Sequence, residues 1–165
     1  MFFGVTTMIS YAMSAALLPL VALLLSAPLV TPLSTPLLQA ALSGHADDVK
    51  KALHQDPSAL RAVDDNQRTA LALASAFNPD PAVAQALINA GSDLEARDVH
   101  GKTPLMLAAQ FNTVQVVNLL LAAGADPRAR DLKHRTAADA ADRNPLVSWT
   151  PTYWKLYRLQ YRGFP

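Results

Sequence analysis

The sequence predicts an all-α solenoid of stacked helix pairs joined by hairpin-like tips. Three observations carry that expectation. Similar segments recur at a nearly fixed interval, with Thr35, Thr69, Thr103 and Thr136 lying 34, 34 and 33 residues apart. Each segment is dense in alanine, leucine and valine at helical spacing. The segments are separated by polar stretches such as "EARDVHGK" and "RARDLKHR". A unit of this size cannot cover its own apolar faces, but stacked copies can.

The segment "KTPLMLAAQFNTVQVVNLLLAAGAD", which starts at Lys102, shows how one unit is built. Thr103 is placed to cap a helix, and Pro104 suits the first turn, where no amide hydrogen bond is lost. Leu105, Ala108 and Ala109 share a face, and the alanines let a neighbouring helix come close. A second helix follows with Val116, Val117, Leu120 and Leu121 on one side. Gly124 supplies the left-handed residue that ends it. "ADPRARDLKHR" then makes the next tip. The preceding copies begin at Ser34 ("STPLLQAALSGHADDVKKAL") and Arg68 ("RTALALASAFNPDPAVAQALINAGSDLEARD"). The "NPDP" of the second carries one extra residue, so the loop between its helices should bulge. The fourth copy, "RTAADAADRN" from Arg135, keeps a first helix over about Ala137 to Asp142. After Pro145 the pattern is lost, and a new Thr-Pro helix signal starts at Thr150-Pro151.

These motifs resemble the ankyrin repeat family over about Ser34 to Asn144. The family's Thr-Pro-Leu-His-x-Ala-Ala signature appears as "TPLLQAA", "TALALAS", "TPLMLAA" and "TAADAAD", its Gly-His pair as Gly44-His45, and its Leu-Leu-x-x-Gly-Ala-Asp ending as "LLAAGAD" and "LINAGSD". The resemblance implies an ankyrin-type solenoid of about three repeats plus a partial fourth and a C-terminal capping helix. The domain layout is then a leader or anchor over 1–27, a proline-rich linker over 28–34, repeats over 35–147 and a capping helix with tail over 148–165. Two departures carry expectations. Asn78 and Asn112 stand where a helix-ending glycine is usual, and asparagine tolerates positive φ. The tip glycine is kept at Gly101 but replaced by Gln67 and His134, so those two tips should turn less regularly.

The N-terminal segment obeys different rules. No Lys, Arg, Asp or Glu occurs from Met1 to Ala46, although the whole chain of 165 residues carries 27 such residues and a net charge of +1. "YAMSAALLPLVALLLSAPLV" fits a secretory signal with its core at Leu17 to Leu25 and cleavage near Ser26-Ala27, despite lacking a basic start. An uncleaved membrane anchor is the rival, and a buried N-terminal helix is the plainest alternative. The first two place the protein outside the cytoplasm, periplasmic or extracellular, or tethered to a membrane by this segment.

Chemistry is sparsely represented. The chain has no cysteine, which excludes disulfides, thiolate metal sites and cysteine nucleophiles. The four histidines, His45, His54, His100 and His134, show no metal-ligand spacing. Family resemblance gives the His45 ring a structural hydrogen bond, while His54 falls near a helix end. Asp47-Asp48 suits a helix N-terminus, and Asp64-Asp65 begins a tip. No phosphate loop, nucleophile elbow or zinc signature occurs. The expectation is therefore a non-enzyme without cofactor, metal or small-molecule substrate.

Binding to a protein partner is the function that the resemblance implies, through a concave groove of tips and first-helix ends. Carried over position by position, the partner-binding residues are Arg68, Phe77, Val99, His100, Lys102, Gln110, Phe111, Lys133 and Arg135, with Asp65, Asn66, Leu132 and Arg143 beside them. Phe77 and Phe111 hold the same slot one repeat apart. The expected role is that of a cell-envelope module that protects or neutralises a partner enzyme or toxin. The alternative is a peripheral membrane or nucleic-acid binder. It would use Tyr153, Tyr157 and Tyr161 with Lys155, Arg158 and Arg162 as an aromatic-basic face. With so small a net charge, nucleic acid is not an expected partner.

Overall fold

A computed structural model describes residues 35–160. The N-terminal leader, anchor and linker expected over 1–34 lie outside the described residues, as do Tyr161 and Arg162 of the tail. The described chain is helical, with eight α-helices and one isolated bridge, Val63 to Thr69. In chain order the helices are α1 (Pro36–Ser43), α2 (Ala46–Gln55), α3 (Ala70–Phe77), α4 (Pro81–Asn89), α5 (Pro104–Phe111), α6 (Val114–Ala123), α7 (Ala137–Ala141) and α8 (Pro151–Gln160). A 3-10 turn, Pro57–Arg61, follows α2. None of these helices is long and apolar enough to cross a membrane.

Local chemistry starts each repeat in the same way. Thr35, Thr69, Thr103 and Thr136 each accept a hydrogen bond on Oγ1 from the backbone three residues on, at 3.3 to 3.5 Å. These bonds satisfy amides that the helix leaves open. Proline occupies the first turn of α1 and α5. Gly124 ends α6 at φ 100°, a conformation costly for a side chain with a Cβ. The extra residue in "NPDP" lengthens the loop before α4, and Asp80 caps that helix through a 2.9 Å bond from the Ala82 N–H.

The helices form two layers. α1, α3, α5 and α7 stack side by side, and α2, α4, α6 and α8 stack behind them, each touching its own partner. The first layer buries Leu37, Leu71 and Leu105 with Ala40, Ala74, Ala108 and Ala141. The second layer contributes Val49, Val83, Val117 and Leu120. α8 stands behind α7 and buries Thr152 and Leu156. Asn118 donates to Thr152 Oγ1 at 3.0 Å, Arg128 donates to the Leu159 carbonyl at 3.2 Å, and Thr136 donates to Gln160. Ala108 is fully buried where α5 meets its neighbours. Ala108→Leu should therefore overpack that contact by about 1–3 kcal/mol and lower the thermal midpoint by several degrees. An unchanged melt would misplace the repeat face.

The asparagines correct one expectation. Asn78 and Asn112 sit at φ −100° and −117°, not in the left-handed region. Their side chains are the reason for their presence. Asn78 Nδ2 donates to the carbonyls of Ala41 and Gly44 at 3.3 and 3.0 Å. Asn112 Nδ2 donates to Ala74, Ser75 and Asn78 at 3.3, 3.0 and 2.8 Å. Asn144 Nδ2 donates to Ala109 and Asn112 at 3.0 and 2.7 Å. Each carboxamide thus satisfies the open carbonyls at the end of the preceding first-layer helix. Gly44 is the first rung and offers only its carbonyl. A Cβ there would lie 2.6 Å from the Ala40 oxygen.

The His45 ring takes part in a capping box with Asp48 at the start of α2. Its side chain is 86% exposed, with Nδ1 3.8 Å from Asp48 Oδ2. The close bond is from the His45 backbone N–H to the Asp48 carboxylate, at 2.9 Å.

Candidate functional site

The three tips share one construction, centred on a buried aspartate. The Asp64 carboxylate oxygen Oδ1 accepts from the backbone N–H of Asn66 and Arg68 at 2.9 and 2.8 Å. Asp98 does the same for His100 and Lys102, both at 2.8 Å. Asp131 does it for Lys133 and Arg135 at 2.8 and 2.9 Å. Gln67, Gly101 and His134 all turn at positive φ, 58°, 74° and 60°. The expected irregular turns at Gln67 and His134 therefore do not occur, because the aspartate bonds outweigh the modest strain of a left-handed side chain. Adjacent tips are also linked, Val99 N–H to Asn66 O and Leu132 N–H to His100 O, both at 3.0 Å. At Gly101 the tips approach closely, since a Cβ would stand 3.1 Å from Leu132 atoms.

The basic residue that follows each tip differs in what it does. Arg68 turns back onto Asp64 at 2.6 Å, and Arg135 turns back onto Asp131 at 2.8 Å. Burial alone would raise the Asp64 carboxyl. The Arg68 side chain and amide, with Arg68's charge and the Asn66 amide, outweigh it and hold Asp64 below the ordinary carboxylate value. Asp131 is held down similarly, burial being outweighed by bonds from Arg135 and Lys133. Lys102 makes no such pair. Its Nζ donates to Gln110 Oε1 at 2.6 Å, along the exposed side of α5. Burial pushes its pKa down, and repulsion from Arg135 and Lys133 adds to this against the pull of Asp98 and Asp131.

The ends of α3 and α5 carry Phe77 and Phe111. Their rings stack at 6.3 Å with 20° between planes, and they remain 49% and 52% exposed. A cation covers each: the Arg68 guanidinium lies 5.3 Å from the Phe77 centroid, and Lys102 Nζ lies 5.6 Å from that of Phe111. These are cation–π distances. The side chains of Arg68 and Lys102 thus join the tips to the aromatic pair. On the same two helices, α3 and α5, Ala72, Ala76 and Leu107 form a small buried cluster apart from the main core.

Phe77, Phe111, Arg68, Lys102 and Gln110 are therefore brought into one strip. His100, Lys102, Lys133 and Arg135 line a second feature, a cleft of about 250 Å³ between the second and third tips, together with Asp131 and Leu132. Val99 is exposed on the second tip. Asp65 and Asn66 lie on the first tip and Arg143 follows α7, all three exposed and outside the strip. Among the described residues no group of three or more His, Asp or Glu could hold a metal ion.

Residues 37–131 match the family of ankyrin repeats (3 copies). The chain belongs to the ankyrin repeat family. Similar proteins include one named putative E3 ubiquitin-protein ligase XBAT34, of Arabidopsis thaliana. It is 38% identical over 93 residues, 55% of this chain and 25% of that protein. Protein fem-1 homolog A of Homo sapiens is 33% identical over 50% of this chain and 12% of its own length. The transient receptor potential cation channel subfamily A member 1 of Drosophila melanogaster is 33% identical over 62% of this chain and 9% of its own. The chain spans a quarter or less of these relatives.

One exposed feature lies beyond the ankyrin strip. Trp149, Tyr153, Trp154 and Tyr157 form a continuous ring cluster with centroids 5.2 to 6.4 Å apart. Trp149 is 78% exposed and adopts φ 64°. Tyr153 donates to Asp142 at 2.6 Å, and chiefly that bond pushes its phenol up to about 12. The tyrosine spacing on α8 announced part of this cluster. Trp149 precedes the helix, so helical periodicity could not find it.

Proposed function

We propose that the chain is a non-catalytic protein-interaction module that holds a partner segment along the strip of Phe77 and Phe111. The observation that carries this reading is the half-exposed, stacked pair, repeated at one slot and covered by Arg68 and Lys102. Aromatic anchors within a polar surround are the usual energetic centre of a protein interface. The matched repeats support a binding role in general. The charge-free apolar composition of residues 1–46 supports placing the module in the cell envelope, exported or tethered. There its partner would be an enzyme it protects or a toxin it neutralises.

A photo-crosslinking phenylalanine in place of Phe111, with the same residue at exposed Gln115 on α6 as control, tests the reading in the native cell. A protein adduct should form at position 111 and not at 115. Adducts at 115 alone, or at neither position, would overturn it.

The exposed ring cluster of Trp149, Trp154 and Tyr157, with exposed Lys155 and Arg158 on α8, favours a second reading, peripheral binding to membrane or nucleic acid. Binding to phosphatidylglycerol vesicles or single-stranded RNA that disappears on removal of 148–165 would select it.

A further inference from the structure

We infer that the cleft between the second and third tips is a carboxylate seat, which takes an acidic side chain of the partner segment whose apolar residue rests on Phe111. This rests on the groove reading above and specifies the partner's chemistry.

The argument is one of uncompensated charge. Three cations, Lys102, Lys133 and Arg135, line the cleft with one carboxylate, Asp131. That carboxylate is fully engaged. Its Oδ1 accepts the amides of Lys133 and Arg135, and its Oδ2 accepts Arg135 Nε and Nη2 at 2.9 and 2.8 Å. Arg135 is therefore paired within its own tip. Asp98 Oδ1 is occupied by the amides of His100 and Lys102. Neither Lys102 nor Lys133 has a carboxylate in ion-pair contact among the described residues. The Lys102 ammonium donates to the neutral oxygen of Gln110. Its partial burial and the repulsion of Arg135 and Lys133 disfavour its charge against the attraction of Asp98 and Asp131, and an anion in the cleft would add to that attraction.

The same side chain sets a register. Lys102 is one of the residues lining the cleft, and its Nζ stands 5.6 Å from the Phe111 centroid. In an extended peptide, side chains two residues apart share a face at about 7 Å. A segment with an acidic residue two positions from a leucine or phenylalanine can thus place a carboxylate on Lys102 and Lys133 and an apolar group on the ring. A cation that pairs within its own tip, as Arg68 does with Asp64, could not serve in this way.

The test uses acetylated, amidated decapeptides in a serine-alanine background, titrated against the full chain by backbone NMR and fluorescence anisotropy. Glu is set one, two or four residues from Leu, and parallel peptides carry Gln or phosphoserine in place of Glu. The two-residue spacing should bind best, with shifts at His100, Lys102 and Lys133. The Gln peptide should bind at least about tenfold more weakly, as expected for a lost charge-assisted hydrogen bond. Lys102→Met with Lys133→Gln should erase the preference for Glu over Gln. If Glu and Gln peptides bind alike while Phe111→Ser abolishes both, the carboxylate seat is wrong and the groove reading stands. If neither Phe111→Ser nor the lysine changes alter binding, both fail. Binding by the phosphoserine peptide alone would assign the cleft to phosphate and overturn the proposal.

Discussion

Asn112→Asp lowers the thermal midpoint of the repeat domain by roughly 10 °C or more. The two side chains are almost the same size, so packing is preserved and only hydrogen-bond polarity changes. The Asn112 amide nitrogen donates to three carbonyls, those of Ala74, Ser75 and Asn78. Its oxygen is fixed by the Thr113 N–H at 2.7 Å. Asn112 is buried. An ionised carboxylate has no donor, so it would set negative charge against three carbonyl oxygens without water. Leaving such groups unsatisfied costs about 1–3 kcal/mol each. Asn66→Asp, the same exchange at an exposed tip position, is the control and should shift the melt little. Equal midpoints for the two variants would show that the asparagine bonds contribute nothing to cohesion between repeats.

Phe77→Ser with Phe111→Ser abolishes partner capture while circular dichroism retains the helical signal. Both rings are about half exposed and lie at helix ends, away from the main core. Truncating them should therefore cost well below the roughly 3–5 kcal/mol of a core phenylalanine. What is lost is the apolar surface over which a partner would be desolvated, together with both cation–π contacts. Retained helix with retained capture would move binding elsewhere, to the tryptophan and tyrosine cluster first. Loss of helix would mean that the pair supports the fold itself.

The repeat architecture was readable because its signals are local. Thr103, Pro104 and Gly124 act within one turn of their own position, and the alanine pattern of α5 lies within a single helix. The role of Asn78 and Asn112 was not readable in the same way. Their partners are carbonyls 34 to 38 residues earlier, and only stacking brings those groups within reach. Gln67 and His134 misled for a related reason. The loss of glycine is visible in sequence, whereas the two amide bonds gathered by Asp64 or Asp131 are a property of the folded tip. The strip could be listed by carrying over family positions, yet nothing in the residue types foretold that Arg68 would pair with its own tip while Lys102 would not.

The asparagine ladder also has a direction. Every donor belongs to the later repeat and every acceptor to the earlier one, and at Asn144 the final carbonyl is taken up by the amides of Val147 and Ser148 in the chain's own turn. Each repeat therefore offers its acceptors to the repeat that follows and its donor to the one before. Duplicating one internal unit would also insert one complete rung without disturbing those on either side. The ladder thus lets such a domain lengthen by gene duplication without redesigning its ends.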